Sequence, residues 1–167
     1  MRRFMALRLG VVAGLTAVLT GLPIADAATA TSRNIATGGD GQVIHLLARL
    51  TSRTDLDLGN PGFDQGDEEV FTDDLFRGSV KVGYDGGVCT VLIVEPDGSS
   101  ESQCAATFSL PGGQIAAQGL IRLPATGQAE FDIAITGGTG KYRKARGHIS
   151  GTFLNATDSQ IAIHVTH

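Results

Sequence analysis

Few side chains in this 167-residue sequence combine a reactive type with a patterned position. His45 stands in an alternating run over residues 42–53, on the same strand face as Val43, Leu47 and Arg49. A neutral imidazole is a base matched to near-neutral pH; the competing reading is a histidine on the solvent side of an outer strand. Asp73 and Asp74 are adjacent, so on a strand they point to opposite faces and cannot form the opposed carboxylate pair of glycoside hydrolysis. A serine hydrolase is excluded because no G-x-S-x-G occurs and Ser150-Gly151 lies in an ordinary strand pattern. Gly140-Lys141 looks like the end of a phosphate loop. That motif would require glycine at Ile135, Ser or Thr at Tyr142, and a helix afterwards. Two cysteines with no paired ligand motif argue against a zinc site.

The elements that must position these groups are strands. Ile44, Leu46, Ala48 and Leu50 alternate with polar residues, as do Ile115, Ala117, Gly119, Ile121 and Leu123, and Ile161, Ile163 and Val165. Period two means strands with one apolar face. Turn chemistry separates them at Gly86-Gly87, Pro96-Asp97-Gly98, Pro111-Gly112-Gly113, Ala125-Thr126-Gly127 and residues 137–140. Eight or nine short antiparallel strands joined this way suggest a sandwich or a barrel, with Cys89 in the fourth strand and Cys104 in the fifth. No helical period follows the first residues. Small residues such as Ala117, Gly119, Ala145 and Gly147 on apolar faces are expected to leave room inside. Residues 54–69 are the one long irregular stretch, placed to cover a barrel mouth or to be a plain surface loop. Cys89 and Cys104 are equidistant from the turn at Pro96-Asp97, so they are expected to face each other across a hairpin and to form a disulfide.

Residues 1–27 read as a bacterial-type signal peptide: Arg2, Arg3 and Arg8, an uncharged run from Leu9 to Leu22, then Ala25-Asp26-Ala27 as a small-x-small cleavage site. The apolar run is shorter than the roughly 20 residues of a membrane span. Export would place both cysteines in an oxidising compartment. Residues 28–41 read as a flexible entry segment and 42–167 as one domain. Losing Arg2, Arg3, Arg8 and Asp26 takes the net charge from −4 to −6, which argues against nucleic acid or an anionic membrane as partner.

The stretch from Ala134 to Gly147, with Gly137-Gly138-Thr139-Gly140-Lys141-Tyr142 at its centre, resembles the glycine hairpin of allene oxide cyclases and dirigent proteins. Further matching pieces are Asp57-Leu58-Gly59, Gly66-Asp67, Val70-Phe71-Thr72-Asp73-Asp74-Leu75, Val82-Gly83, Gly87-Val88-Cys89-Thr90-Val91, Ala106-Thr107-Phe108-Ser109-Leu110 and Gln114-Ile115-Ala116-Ala117-Gln118-Gly119. Their order and spacing resemble the superfamily over most of residues 42–153, with exported bacterial barrels nearer than the plant enzymes.

The resemblance implies an all-β, eight-stranded closed antiparallel barrel of the calycin or allene oxide cyclase type. It implies a secreted protein without cofactor or metal, one that binds a small lipophilic intermediate and steers its cyclisation, isomerisation or coupling. Such an enzyme would be an isomerase or cyclase of natural-product biosynthesis. The alternative is a non-catalytic lipophile-binding or cell-envelope barrel. Trimers are common in the superfamily, which implies a homotrimer or homodimer. Plant cyclases carry a first-strand glutamate that falls near His45 here, an asparagine near Leu47, and a cysteine on Cys89; the asparagine of their Phe-Thr-Asn segment becomes Asp73. The candidate catalytic residues are therefore His45, Arg146 (the family hairpin carries an arginine there) and Asp73. Arg146 could instead be a rim charge, and Asp73 a turn cap. Arg49, Tyr84 and Tyr142 are the candidate ligand contacts.

Overall fold

The computed structural model describes residues 41–166; the expected leader 1–27 and the segment 28–40 lie outside the described residues. Eight strands follow in order: β1 (Gln42–Leu56), β2 (Glu68–Arg77), β3 (Val80–Val94), β4 (Ser100–Leu110), β5 (Gly113–Leu123), β6 (Glu130–Gly138), β7 (Arg146–Phe153) and β8 (Asp158–Thr166). Each pairs antiparallel with the next, and β8 closes onto β1 to complete a barrel. Closure leaves no unpaired sheet edge. The alternating residues do what period two requires: Ile44, Leu46, Ala48, Ile115, Ala117, Ile161, Ile163 and Val165 are buried in one interior cluster. No helix among the described residues is long and apolar enough to cross a membrane, a statement that does not bear on strands.

Four expectations are corrected. Gly86-Gly87 is not a turn; both lie inside the 15-residue β3. The β2–β3 connection is instead Gly78-Ser79, with Gly78 at φ 61°. Glycine is needed at 87 for close packing: an added Cβ would stand 2.6 Å from the Ala105 carbonyl and 2.8 Å from Phe71 Cζ. Merging two expected strands into β3 also puts Cys89 in the third strand and Cys104 in the fourth. The irregular stretch shortens to residues 57–67, because β1 extends to Leu56 and β2 begins at Glu68. Finally, the small residues do not leave voids. Ile133 fills the space beside Gly119, with Cγ2 2.8 Å from where a Cβ would be, and the Phe131 ring fills that beside Gly151. Gly147 has φ 127°, and an added Cβ would fall 1.9 Å from the His164 carbonyl oxygen, so this position serves a close backbone approach.

The two ends of the barrel differ. Where β6 hands over to β7, the glycine hairpin forms a single 3-10 turn, Gly140–Tyr142. Its Lys141 N–H donates to the Gly112 carbonyl and the Thr139 N–H to that of Gln114, both at 2.8 Å. This ties the turn to β5 and buries Tyr142 to 2 % exposure, against a cluster that includes Leu110, Ile115, Ala145 and Val165. That end is sealed. At the other end the inward residues Phe71, Cys89, Ser102, Ile121, Phe131, Phe153 and Ser159 are only partly buried. Leu56, Leu58, Phe63, Ile93, Val94, Leu123 and Leu154 stand exposed around that mouth. The loop 57–67 is held beside it by Asp67, whose carboxylate accepts from the N–H groups of Leu58 (2.8 Å) and Asp64 (3.0 Å). Gly66 and Asp67 in turn bond the Val91 backbone at 2.9 and 2.8 Å.

Candidate functional site

A β-bulge decides which charges enter the lumen. On β1 the inner face is carried by Ile44, Leu46, Ala48 and Leu50. Between Leu50 and Ser52 the register against β2 slips by one residue: Leu50 faces Asp73, but Ser52 faces Thr72 and Arg53 faces Phe71. A one-residue slip exchanges faces. Arg53 and Asp55 therefore join the inner side, opposite Phe71 and Glu69. Arg53 Nη2 lies 2.9 Å from Glu69 Oε2 and its Nε 2.9 Å from Asp55 Oδ1, forming a charged lip on the cup, the open end of the barrel interior. Burial raises the Glu69 pKa above its ordinary value; Arg53 pulls it back, and Asp55 and Asp73 push it up.

Below this lip sit two carboxyl groups in cross-strand register, Asp73 on β2 and Asp85 on β3. Asp85 next faces Phe108 on β4, is 3 % exposed, and its Oδ1 has no hydrogen-bond partner. Burial first, then the charge of Asp73 and the hydrogen bond between the two side chains, push Asp85 up to about 8. Burial also raises Asp73; the hydrogen bond with Asp85 opposes that rise and the nearby Asp74 charge adds to it. Two carboxyl groups this close cannot both ionise cheaply. Burial and mutual repulsion favour holding a proton on the pair, and Asp73 is half-buried on the inner face. Such a pairing can hold one carboxyl neutral beside an ionised one.

Of the three expected catalytic residues, Asp73 alone faces the lumen. Asp74 turns outward, where Lys81 Nζ meets it at 2.5 Å. His45 is on the outer wall: it is exposed and pairs with Ala162, while its neighbours Ile44 and Leu46 point in. It borders a shallow outer groove of about 540 Å³ with Asp132, Ser150, Thr152 and Gln160, which lacks the buried proton-sharing pair of the lumen. Arg146 is exposed and outward, one residue before the inward Gly147. The expected ligand contacts also lie off the cup. Arg49 is outward, bound to Asp158 at 3.0 Å and 5.5 Å over the Phe76 ring. Tyr84 is 56 % exposed on the outer wall, and Tyr142 is buried in the seal. Alternation alone, counted from Ile44 past Leu50, assigns Arg53 to the wrong face, and the turn reading of Gly86-Gly87 hid Asp85.

Cys89 and Cys104 are joined by a disulfide, S–S 2.02 Å, on the same inner face as Gly87 and Ala106. Its sulfurs are not available as nucleophiles. Cross-linking a loop of this length stabilises by about 3 kcal/mol on the chain-entropy estimate. The unreduced protein is expected to weigh two hydrogens less than the reduced one and to melt at higher temperature. Two titratable thiols in unfolded, unreduced protein would contradict this pairing. No cluster of three or more His, Cys, Asp or Glu able to hold a metal occurs among the described residues.

Comparisons with known proteins agree with this geometry. The family model described as allene oxide cyclase barrel like domain matches residues 45–164. No curated protein sequence matches. Among solved structures, a pyocyanin demethylase is 33 % identical, superposes with TM-score 0.66, and the match covers 75 % of this chain and all of that one. A pterocarpan synthase dirigent protein is 20 % identical over 76 % of this chain and 95 % of its own, with TM-score 0.62. A Diels-Alderase from Streptomyces koyangensis is 17 % identical over 77 % of this chain and 64 % of its own, also with TM-score 0.62. The last two are likenesses of fold.

Proposed function

The chain belongs to the family of allene oxide cyclase barrel-like domains, and from that premise we propose that it binds a small lipophilic intermediate in the open half of its barrel and steers its cyclisation or isomerisation. The observation that carries this reading is the Asp73–Asp85 pair in cross-strand register on the inner face, at the end of the barrel where Phe71, Ile121, Phe131 and Phe153 are only partly buried. Such rearrangements are redox-neutral. Confinement in a reactive shape lowers much of the barrier, and a positioned proton donor and acceptor supplies the rest. Asp73 is the catalytic group, moving a proton to or from the ligand. Asp85 is a positioning residue that keeps Asp73 hydrogen-bonded and the pair singly protonated. The chemistry named by the structural relatives (demethylation, pterocarpan synthesis, Diels-Alder cyclisation) is consistent with a barrel that takes reactive small molecules, and the first of them gives the substrate screen its starting scaffold. The proposed site of action is extracytoplasmic, supported by the leader-like residues 1–27 and by a disulfide of the kind that persists in oxidising compartments.

Ile121→Trp tests the location. Ile121 is inward and half-buried on β5, so an indole there occupies the cup. We expect ligand binding and turnover to fall at least tenfold while the fold, followed by far-UV circular dichroism, persists. Unchanged turnover in Ile121→Trp together with loss in His45→Ala would move the chemistry to the outer groove. A ligand recovered unaltered after long incubation would leave a carrier rather than an enzyme.

A further inference from the structure

We propose that the cup selects lipophilic bases, a cationic nitrogen heteroaromatic or an aromatic amine, over neutral and anionic lipophiles of the same shape, because its charged wall is acidic and the wall across from it is aromatic. This rests on the cup being the binding site. Among the described residues the inner face carries titratable groups on three consecutive strands: Arg53 and Asp55 on β1, Glu69 and Asp73 on β2, and Asp85 on β3. The inward residues of the other strands have no charge: Ser102, Cys104 and Phe108 on β4; Ile115, Gly119 and Ile121 on β5; Phe131 and Ile133 on β6; Ile149 and Phe153 on β7; and Ser159 and Ile161 on β8. The single inward cation, Arg53, is bound by two carboxylates, Glu69 and Asp55, so it presents no unspent positive charge to a ligand carboxylate. An anion entering here meets Glu69 and Asp73.

The uncharged side supplies the complement. Phe131 and Phe153 stand with ring centroids 5.3 Å apart and planes tilted by 52°, and both are half-exposed toward the mouth. Aromatic faces attract cations and stack with planar ligands. On the inner face, Asp85 Oδ1 is buried without a hydrogen-bond partner, an acceptor without a donor. A nitrogen base with a polar hydrogen would satisfy it. When a cation docks, the second carboxylate charge of the pair becomes affordable, and the proton on Asp85 leaves.

The test compares fluorescent tricyclic probes of one shape and three charges: 9-aminoacridinium, 9-methylanthracene and anthracene-9-carboxylate. Their binding to the purified protein is measured by anisotropy at pH 7 and pH 9. We expect the cation to bind at least about tenfold more tightly than either other probe, as fits an opposite charge in a partly desolvated site. Its affinity should rise from pH 7 to pH 9 as Asp85 ionises, and its binding at pH 7 should release up to one proton, read as a dependence of the heat on buffer. Asp73→Asn should remove the cation preference, with Glu69→Gln as the second variant if the first does not fold. Ile121→Trp must abolish binding, which separates the cup from the acidic exterior. Equal affinities, or preference for the carboxylate, overturn the inference while the cup stands as a binding site. Failure of all probes to bind overturns both readings.

Discussion

Asp73→Asn is expected to lower turnover on an authentic substrate by about 10²- to 10⁴-fold, the usual contribution of a positioned acid or base, with ligand affinity for a neutral lipophile little changed. The amide keeps the shape and a hydrogen-bonding partner for Asp85 but cannot exchange a proton. The effect should fall on kcat rather than on KM, since the lost interaction belongs to the transition state. Asp85→Asn should behave differently. Its amide N–H can still donate to Asp73, so the loss is smaller, but the limb of the pH–rate profile near 8 should disappear, because the group that produces it at about 8 is gone. Should Asp73→Asn retain full activity, the carboxylate pair is not the chemical centre.

The same pair makes stability fall as pH rises. Asp85 has its folded-state pKa pushed from the ordinary 3.8 up to about 8, so between those limits the folded state holds a proton that the unfolded chain has released. Stability from this group is therefore fully present near pH 4, is lost progressively as pH approaches 8, and levels off above it. The raised Asp73 and Glu69 act in the same direction. A melting temperature that drops across pH 5 to 8.5 in wild type, and a flatter profile with greater stability at pH 8.5 in Asp85→Asn, are the expected results. A wild-type melting temperature that rises over that range would refute the buried, protonated Asp85. Retaining a group that costs this much in the core is the pattern expected where function, not stability, holds it in place.

The barrel itself was legible because its signals are local and repeated. Alternation at Ile44–Leu46–Ala48 and Ile161–Ile163–Val165 marks buried faces that the structure confirms, and the spacing of Cys89 and Cys104 around Pro96-Asp97 marks the hairpin that joins them. The site was less legible. Strand parity carries information only while the register is unbroken. The bulge at Thr51 leaves no mark that alternation reading detects, and it moves Arg53 and Asp55 from the solvent face to the inner one. Asp85 was concealed for another reason. Paired glycines usually signal a turn, whereas Gly86-Gly87 are strand residues thinned so that the Phe71 ring and the β4 backbone can approach. His45 pointed the other way because β1 is apolar at even positions and the family's first-strand acid has no counterpart here. The same alternation puts His45 with Val43 and Arg49 on the outer face.

The glycine hairpin that seals the barrel behind Tyr142 has a kinetic meaning. A vessel closed at its base has one doorway, so what enters and what leaves must use it in turn. Reactant cannot push product out ahead of itself, and a slowly departing product blocks the next arrival. On the proposed function, product should therefore compete directly with substrate, and the residence time of the reacted molecule, rather than the rearrangement, would cap the rate.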